Sequence, residues 1–185
     1  DQSGRQLTVT RTRLVDSVPE VLVTSTVYDG NGRVTKRTYP DGSFTSTSYS
    51  PTGKELTRTD ELGRVTSYAY DLADKLLKTT APDGAVSTST YDAEGRRTSS
   101  TDALGRVTSY TYDAVGRMTK TTHPDGASRT STYDLAGQVT ADTDETGLVT
   151  ERVYDAAGRL VQILEPAGGV STTAYDAADR VTVTT

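Results

Sequence analysis

The sequence predicts an all-β fold: an antiparallel meander of 21-residue, two-strand repeats that curls into a spiral or shell-like sheet. Three observations carry that expectation. A tyrosine recurs every 21 residues without slippage, at Tyr28, Tyr49, Tyr70, Tyr91, Tyr112, Tyr133, Tyr154 and Tyr175. Two glycine series keep the same period and cut each repeat into two short segments. Threonine is in excess, with 35 copies beside eleven Tyr, one Phe and no Trp, a composition that favours strands over helices.

Taken in order, the chain opens on Asp1-Gln2-Ser3-Gly4-Arg5, which reads as the tail of a motif without its tyrosine. Gln6 to Thr10 continues as a strand. The motif at Tyr28 then comes seven residues late. The extra length lies around Arg11 to Pro19 and predicts a longer hairpin, turning near Asp16-Ser17-Val18-Pro19. Residues 1–27 are thus an incomplete first repeat with a longer hairpin, and 28–185 hold seven complete 21-residue repeats plus a partial one. Both ends fall inside a repeat, so the chain reads as a segment of a larger array.

From Tyr28 onward the pattern is strict. The tyrosine is followed by Asp29, Asp71, Asp92, Asp113, Asp134, Asp155 or Asp176, with Ser50 in one repeat. Four residues after the tyrosine stands Gly32, Gly53, Gly95, Gly116, Gly137 or Gly158, replaced twice by Asp74 and Asp179. A basic residue comes next (Arg33, Lys54, Lys75, Arg96, Arg117, Arg159, Arg180), except at Gln138. Asp-x-x-Gly fits a type I turn in which Asp accepts a backbone N–H and Gly takes positive φ. Asp tolerates that left-handed region better than most residues.

The second glycine series is Gly42, Gly63, Gly84, Gly105, Gly126, Gly147 and Gly168. Its context alternates between Pro-Asp-Gly (Pro40, Pro82, Pro124) and Asp-x-x-Gly (Asp60, Asp102, Asp144), so the full unit is about 42 residues. Between the two turns lie runs of about seven residues, such as Arg106–Tyr112 and Arg117–His123, which gives about seventeen strands. Hairpin-type turns at both ends make the meander antiparallel. The alternative is a parallel β-solenoid with one coil per 21 residues, and two turns per repeat argue against it. Open sheets rarely exceed about ten strands without curling or splitting, hence the expected spiral.

Alternation places Thr108, Tyr110 and Tyr112 on one face and Val107, Ser109 and Thr111 on the other. Neither is a continuous aliphatic stripe. The sheet should therefore be held by main-chain hydrogen bonds, Thr pairs and a tyrosine ladder, spaced about 4.8 Å or twice that, rather than by a thick core.

Composition excludes several functions. Apolar residues make up only 33%, yet aromatic and β-branched residues recur regularly, which is not the signature of disorder. A net charge of −5 argues against a nucleic-acid partner. No apolar run approaches the ~18 residues of a membrane span. Without cysteine there is neither a disulfide nor a thiolate metal site. His123 is the sole histidine, so no His cluster exists and the residue reads as a strand end. The many aspartates sit where turns want them, and no calcium-loop pattern is present. The Arg column reads as pairing with neighbouring Asp, and the Tyr rows as cross-strand packing, with anion binding and sugar stacking as the respective alternatives. Gly30-Asn31-Gly32 lacks a following helix and is no phosphate loop. No nucleophile–base–orienter set exists, so the sequence predicts no catalytic residue, no cofactor site and no metal site.

Tyr-Asp-x-x-Gly-Arg at a 21-residue period, with Pro-Asp-Gly between, resembles the YD repeats of the Rhs (rearrangement hot spot) family along essentially the whole chain. Six motifs keep both the Tyr-Asp pair and the basic residue, those at Tyr28, Tyr70, Tyr91, Tyr112, Tyr154 and Tyr175. The resemblance implies a long β-sheet spiralling into a hollow shell. In polymorphic bacterial toxins and insecticidal toxin complexes such shells enclose a C-terminal toxin domain. Related shells in wall-associated proteins and teneurins serve adhesion. The self-cleaving core segment of toxin-bearing members has no counterpart here, so no catalytic residue is carried over. The expected function is a non-enzymatic wall segment of an exported, extracellular or cell-surface shell. Its partners would be further repeats of the same polypeptide and an enclosed toxin. The alternative is an adhesin or fibre that binds glycans or its own copies.

Overall fold

The computed structural model of the chain describes residues 5–16 and 18–185. It is all-β, with seventeen strands and no helix among the described residues. The chain forms two compact units, one running through Ser89 and taking in Asp102–Gly105, the other made of Thr90–Thr101 and Arg106–Thr185.

The first unit contains β1 (Thr8–Val15), β2 (Val18–Tyr28), β3 (Val34–Thr38), β4 (Phe44–Tyr49), β5 (Glu55–Thr59), β6 (Val65–Tyr70), β7 (Leu76–Thr80) and the start of β8 (Val86–Tyr91). The second contains β9 (Arg97–Thr101), β10 (Val107–Tyr112), β11 (Met118–Thr122), β12 (Ser128–Tyr133), β13 (Val139–Thr143), β14 (Val149–Tyr154), β15 (Leu160–Leu164), β16 (Val170–Tyr175) and β17 (Val181–Thr184). Within each unit consecutive strands pair antiparallel, which rules out the parallel solenoid. The seven-residue runs shorten to five- and six-residue strands because the turn residues at each end close the loops.

The first hairpin differs from expectation in detail. β1 begins at Thr8, not Gln6, and the ladder continues from Thr8↔Ser25 to Val15↔Val18. The extra residues therefore lengthen the strands instead of the loop. Pro19 sits inside β2 opposite Leu14. A proline is tolerated there because β2 pairs with β3 only from Ser25 onward, leaving Pro19 a partner on one side alone. Of the expected turn, Asp16 is described, with φ 50°, and Ser17 lies outside the described residues. The motif tail Asp1–Gly4 also lies outside them.

A β-bulge recurs beside the tyrosine. Thr111 faces Lys120 but Tyr112 faces Met118, so Thr119 is an extra residue. The same shift occurs at Tyr28, Tyr49, Tyr70, Tyr133, Tyr154 and Tyr175. At Tyr112 and Tyr133 the extra residue is a threonine that turns to the face away from the tyrosine, where Thr119 Oγ1 lies 3.2 Å from Thr111 Oγ1 and Thr140 Oγ1 lies 2.9 Å from Thr132 Oγ1.

Register explains how an odd period keeps one face. Thr111 faces Lys120, which faces Thr130, whereas the repeat equivalent of Thr111 is Thr132. Equivalent residues are thus displaced by two positions along the strand at each repeat. Two is even, so within each unit the tyrosines of the series stay on one side of the sheet. No hydrophobic side chain among the described residues is buried, and Thr26 is the sole buried polar one. The fold rests on ladders and corners, not on a core.

Candidate functional site: the tyrosine–aspartate–arginine corner

Each Tyr-Asp-x-x-Gly-Arg segment closes a hairpin by the same bonds. At Tyr28 the Asp29 N–H donates to Arg33 O (2.9 Å) and the Gly32 N–H to Asp29 O (3.0 Å). Gly32 has φ 81°, a conformation that side chains strain to adopt. Asp74 and Asp179 take the same place with φ 61°. The carboxylate caps the turn from inside. Asp29 Oδ1 accepts the N–H groups of Asn31 (2.9 Å) and Arg33 (3.0 Å), and Oδ2 accepts Arg33 Nε (2.6 Å). Asp113 and Asp155 repeat this arrangement with Arg117 and Arg159. Where serine replaces aspartate, Ser50 Oγ still accepts the Lys54 N–H at 3.0 Å.

These bonds favour the ionised carboxylate. The backbone N–H of Arg33 holds Asp29 below the usual carboxylate range, with its guanidinium adding to the effect. Asp155 is lowered in the same way by the N–H and then the guanidinium of Arg159. At Asp113 partial burial works upward, but the hydrogen bonds from the Arg117 guanidinium and N–H together outweigh it. The Asp155 carboxylate in turn raises the Arg159 guanidinium.

The arginine does more than pair with its own turn. Its guanidinium reaches the next corner and lies over that corner's tyrosine. Arg33 stands 4.4 Å from the Tyr49 ring centroid, Arg96 4.9 Å from Tyr112, Arg117 4.6 Å from Tyr133 and Arg159 4.8 Å from Tyr175. The Nη1 of Arg117 donates to Asp134 O at 2.8 Å, and that of Arg96 to Asp113 O at 3.3 Å. The tyrosine hydroxyl returns the link. Tyr112 donates to Arg97 O, Tyr133 to Met118 O, Tyr154 to Val139 O and Tyr175 to Leu160 O, at 2.8–2.9 Å. Every acceptor is the first residue of the strand opening after the previous corner.

The sequence foresees Arg–Asp pairing, and the pair is intraturn. What the sequence does not show is the reach to the next tyrosine. The tyrosines of the series end every second strand, and a guanidinium covers the rings of Tyr49, Tyr112, Tyr133 and Tyr175. Gln138 departs from this, its Nε2 donating to Gly158 O instead.

The opposite edge carries the second glycine series. Asp60 Oδ1 accepts Leu62 and Arg64 N–H at 3.0 Å each, and Oδ2 accepts Arg64 Nε at 2.7 Å. In the Pro-Asp-Gly variant the carboxylate moves to the third position, where Asp41 Oδ1 accepts the Ser43 N–H at 2.9 Å. His123 Nε2 lies 3.4 Å from Glu145 Oε1 on the following turn. No group of three or more potential ligands among His, Cys, Asp and Glu gathers among the described residues.

One cluster escaped the sequence reading. Asp142 accepts Ser131 Oγ and Arg152 Nη1, both at 2.6 Å, in the middle of the tyrosine face. The signal available was the phase: charged residues stand here where the repeats at Tyr70 and Tyr112 carry Thr79, Tyr68, Thr121 and Tyr110.

Comparison with known proteins places this geometry. The chain matches the model of the RHS Repeat family at residues 49–86, 91–128, 133–170 and 154–185. A comparison with curated proteins returned no match. Among solved structures, the crystal structure of TcdB2-TccC3 aligns with TM-score 0.64 at 16% identity, over 100% of this chain and 12% of that one. The crystal structures of TcdB2-TccC3-Cdc42 and TcdB2-TccC3-TEV align with TM-scores of 0.63 and 0.58 at 16% and 15% identity, each over 98% of this chain and 12% of the other. At that identity the likeness is one of fold, and the chain spans about an eighth of the proteins it resembles. Three of the family windows start 42 residues apart, each on a tyrosine of the series, at Tyr49, Tyr91 and Tyr133. The linked corners are the repeats of the RHS family, and this chain belongs to it.

Proposed function

We propose that the chain is a length of wall in an exported YD-repeat shell, which encloses a C-terminal toxin or another polypeptide and separates it from solvent and from the producing cell. The observation that carries this reading is the corner linkage. Corners that carry arginine are tied to the next repeat by guanidinium, tyrosine and backbone bonds, while no hydrophobic core is present among the described residues. Such a construction extends by adding repeats, and its stability is a sum of neighbour terms. Its natural partners are further repeats of the same polypeptide, with residues 1–27 an incomplete repeat and 28–185 the regular array. The role is steric and non-catalytic, and the repeat residues act as structure.

Glycan binding by an adhesin or fibre is the competing role. Against it, the Tyr110 ring is occupied, with the Arg97 guanidinium 4.9 Å from its centroid and Nη2 3.2 Å from its hydroxyl.

Limited trypsin digestion of the complete polypeptide that carries this segment tests enclosure. The expected result is a cargo domain that survives until urea opens the repeats. Cargo cut equally fast before and after urea would sink the proposal. Saturable glycan binding lost on replacing Tyr68 and Tyr110 would favour the adhesin.

A further inference from the structure

The single break in the 21-residue period lies beside a recess lined by both strands of the first hairpin. From Arg33 to Tyr49 is 16 residues, but from Arg5 to Tyr28 is 23, and the seven additional residues lengthen the β1–β2 hairpin. Insertions in repeat proteins commonly map to a binding face. Here the long hairpin bounds a cavity of about 460 Å³ on the tyrosine face, floored by Thr26 and Tyr28. Two guanidinium groups, Arg11 and Arg37, line it, and neither has an acidic partner among the described residues. A second cavity of about 470 Å³ shares Leu22 and Pro40 with the first. Its far side carries the carboxylates of Asp41 and Glu61, while Glu20 there is already paired with Arg13. The two cavities thus form one groove with a basic end, an apolar waist at Leu22 and Pro40, and an acidic end.

We infer that this groove binds an extended polypeptide segment whose side chains run acidic, apolar, basic. Unpaired arginines facing one cavity favour a carboxylate, which guanidinium groups hold by paired hydrogen bonds. The apolar waist takes an aliphatic side chain, and the acidic end takes a lysine or arginine. Charge order along an elongated groove selects an extended chain over a compact anion. Binding at this groove is independent of enclosure: either can fail while the other holds.

Fluorescence anisotropy on the 185-residue chain tests the assignment. The probe is a labelled hexapeptide of two glutamates, two leucines and two lysines in that order. The comparison peptide has the same composition with glutamates and lysines alternating. The first should bind saturably, more tightly than the second, and weaken as salt rises. Arg11→Ala and Arg37→Ala should each weaken binding about fivefold. Glu61→Gln should weaken it from the other end. Both arginines are exposed, so the urea midpoint of the variants should match the parent's. No saturable binding, binding indifferent to the arginines, or binding of a sulfated heparin disaccharide in place of the peptide would each overturn the proposal.

Discussion

The guanidinium of Arg117 lies 4.6 Å from the ring centroid of Tyr133, sixteen residues ahead and in the neighbouring repeat. Tyrosines of successive repeats lie two strand spacings apart across the sheet and two residues apart along it, about 12 Å in all. Ring-to-ring contact needs roughly 4.5–7 Å between centroids. A bare ladder of rings would therefore leave gaps, and in the arginine corners a guanidinium covers the ring instead. This is why the motif couples a tyrosine to a basic residue five positions later, although the two that touch belong to different corners.

Replacing Arg117 should loosen two corners at once. Arg117→Ala removes the bond to Asp113 Oδ2, the cover on Tyr133 and the donor to Asp134 O. Arg117→Lys should recover little, since an ammonium lacks the planar fork. Tyr133→Phe should cost about 1 kcal/mol, the worth of its hydroxyl bond to Met118 O. Urea unfolding followed by circular dichroism reads all three, and both arginine variants should fall below Tyr133→Phe. Arg58→Ala, at an exposed arginine outside the corners, should leave the midpoint unchanged. An Arg117→Ala midpoint equal to that of Arg58→Ala would refute the linkage.

Two glycines of similar exposure should answer differently to alanine. Gly63 has φ 75° with nothing within 4 Å of an added Cβ, so Gly63→Ala meets backbone strain alone, about 1–2 kcal/mol. Gly30 also has open space but is not among the positive-φ residues. Gly30→Ala should be neutral or stabilising by up to about 1 kcal/mol, because alanine restricts the unfolded chain. Thermal melts of the two single variants decide it, and equal destabilisation would contradict the turn geometry.

The spacing of Tyr, Gly and Pro was enough to place the strands, the turns and the antiparallel order, because those residues act locally on φ and on hydrogen bonding. The bulge was hidden because Thr119, the extra residue, is of the same type as Thr121, which stays in register. The reach of Arg117 to Tyr133 was hidden because it depends on a two-residue slip between repeats, a property of pairing and not of either motif. Pro19 was misread as a turn residue. Its strand is partnered on one side there, so the missing N–H costs the ladder nothing. The Ser131–Asp142–Arg152 network depends on partners ten and eleven residues apart, beyond any local pattern.

Acidification should weaken the sheet over a defined range. Backbone N–H bonds lower Asp29, Asp155 and Asp176 in the folded protein, and hydroxyl bonds lower Asp41 and Asp144. A lowered carboxylate binds fewer protons folded than unfolded. Its contribution is therefore full above the unfolded value, about 3.9, and is lost as pH falls through the folded value below it. Urea midpoints should be flat from pH 7 to about 5 and decline steeply below about 4. Asp155→Asn should shallow that decline. A decline centred near pH 6 would contradict the carboxylate origin of the acid sensitivity.

Gln138 is the corner at which the linkage can be strengthened. Its amide reaches Gly158 O, and Tyr154 keeps its hydroxyl bond to Val139 O. Asp134 is already present in the turn, its Oδ1 accepting the Gln138 N–H at 2.9 Å. Gln138→Arg would place a guanidinium between that carboxylate and the Tyr154 ring, as Arg117 stands between Asp113 and Tyr133. The gain should be about 0.5–1 kcal/mol, the worth of an exposed cation–π contact, offset in part by losing the amide bond. Differential scanning calorimetry of Gln138→Arg should show a raised melting temperature, and Tyr154→Leu in the same background should abolish the rise. A rise that survives Tyr154→Leu would mean the new charge acts through Asp134 alone, and that the ring is not the arginine's seat.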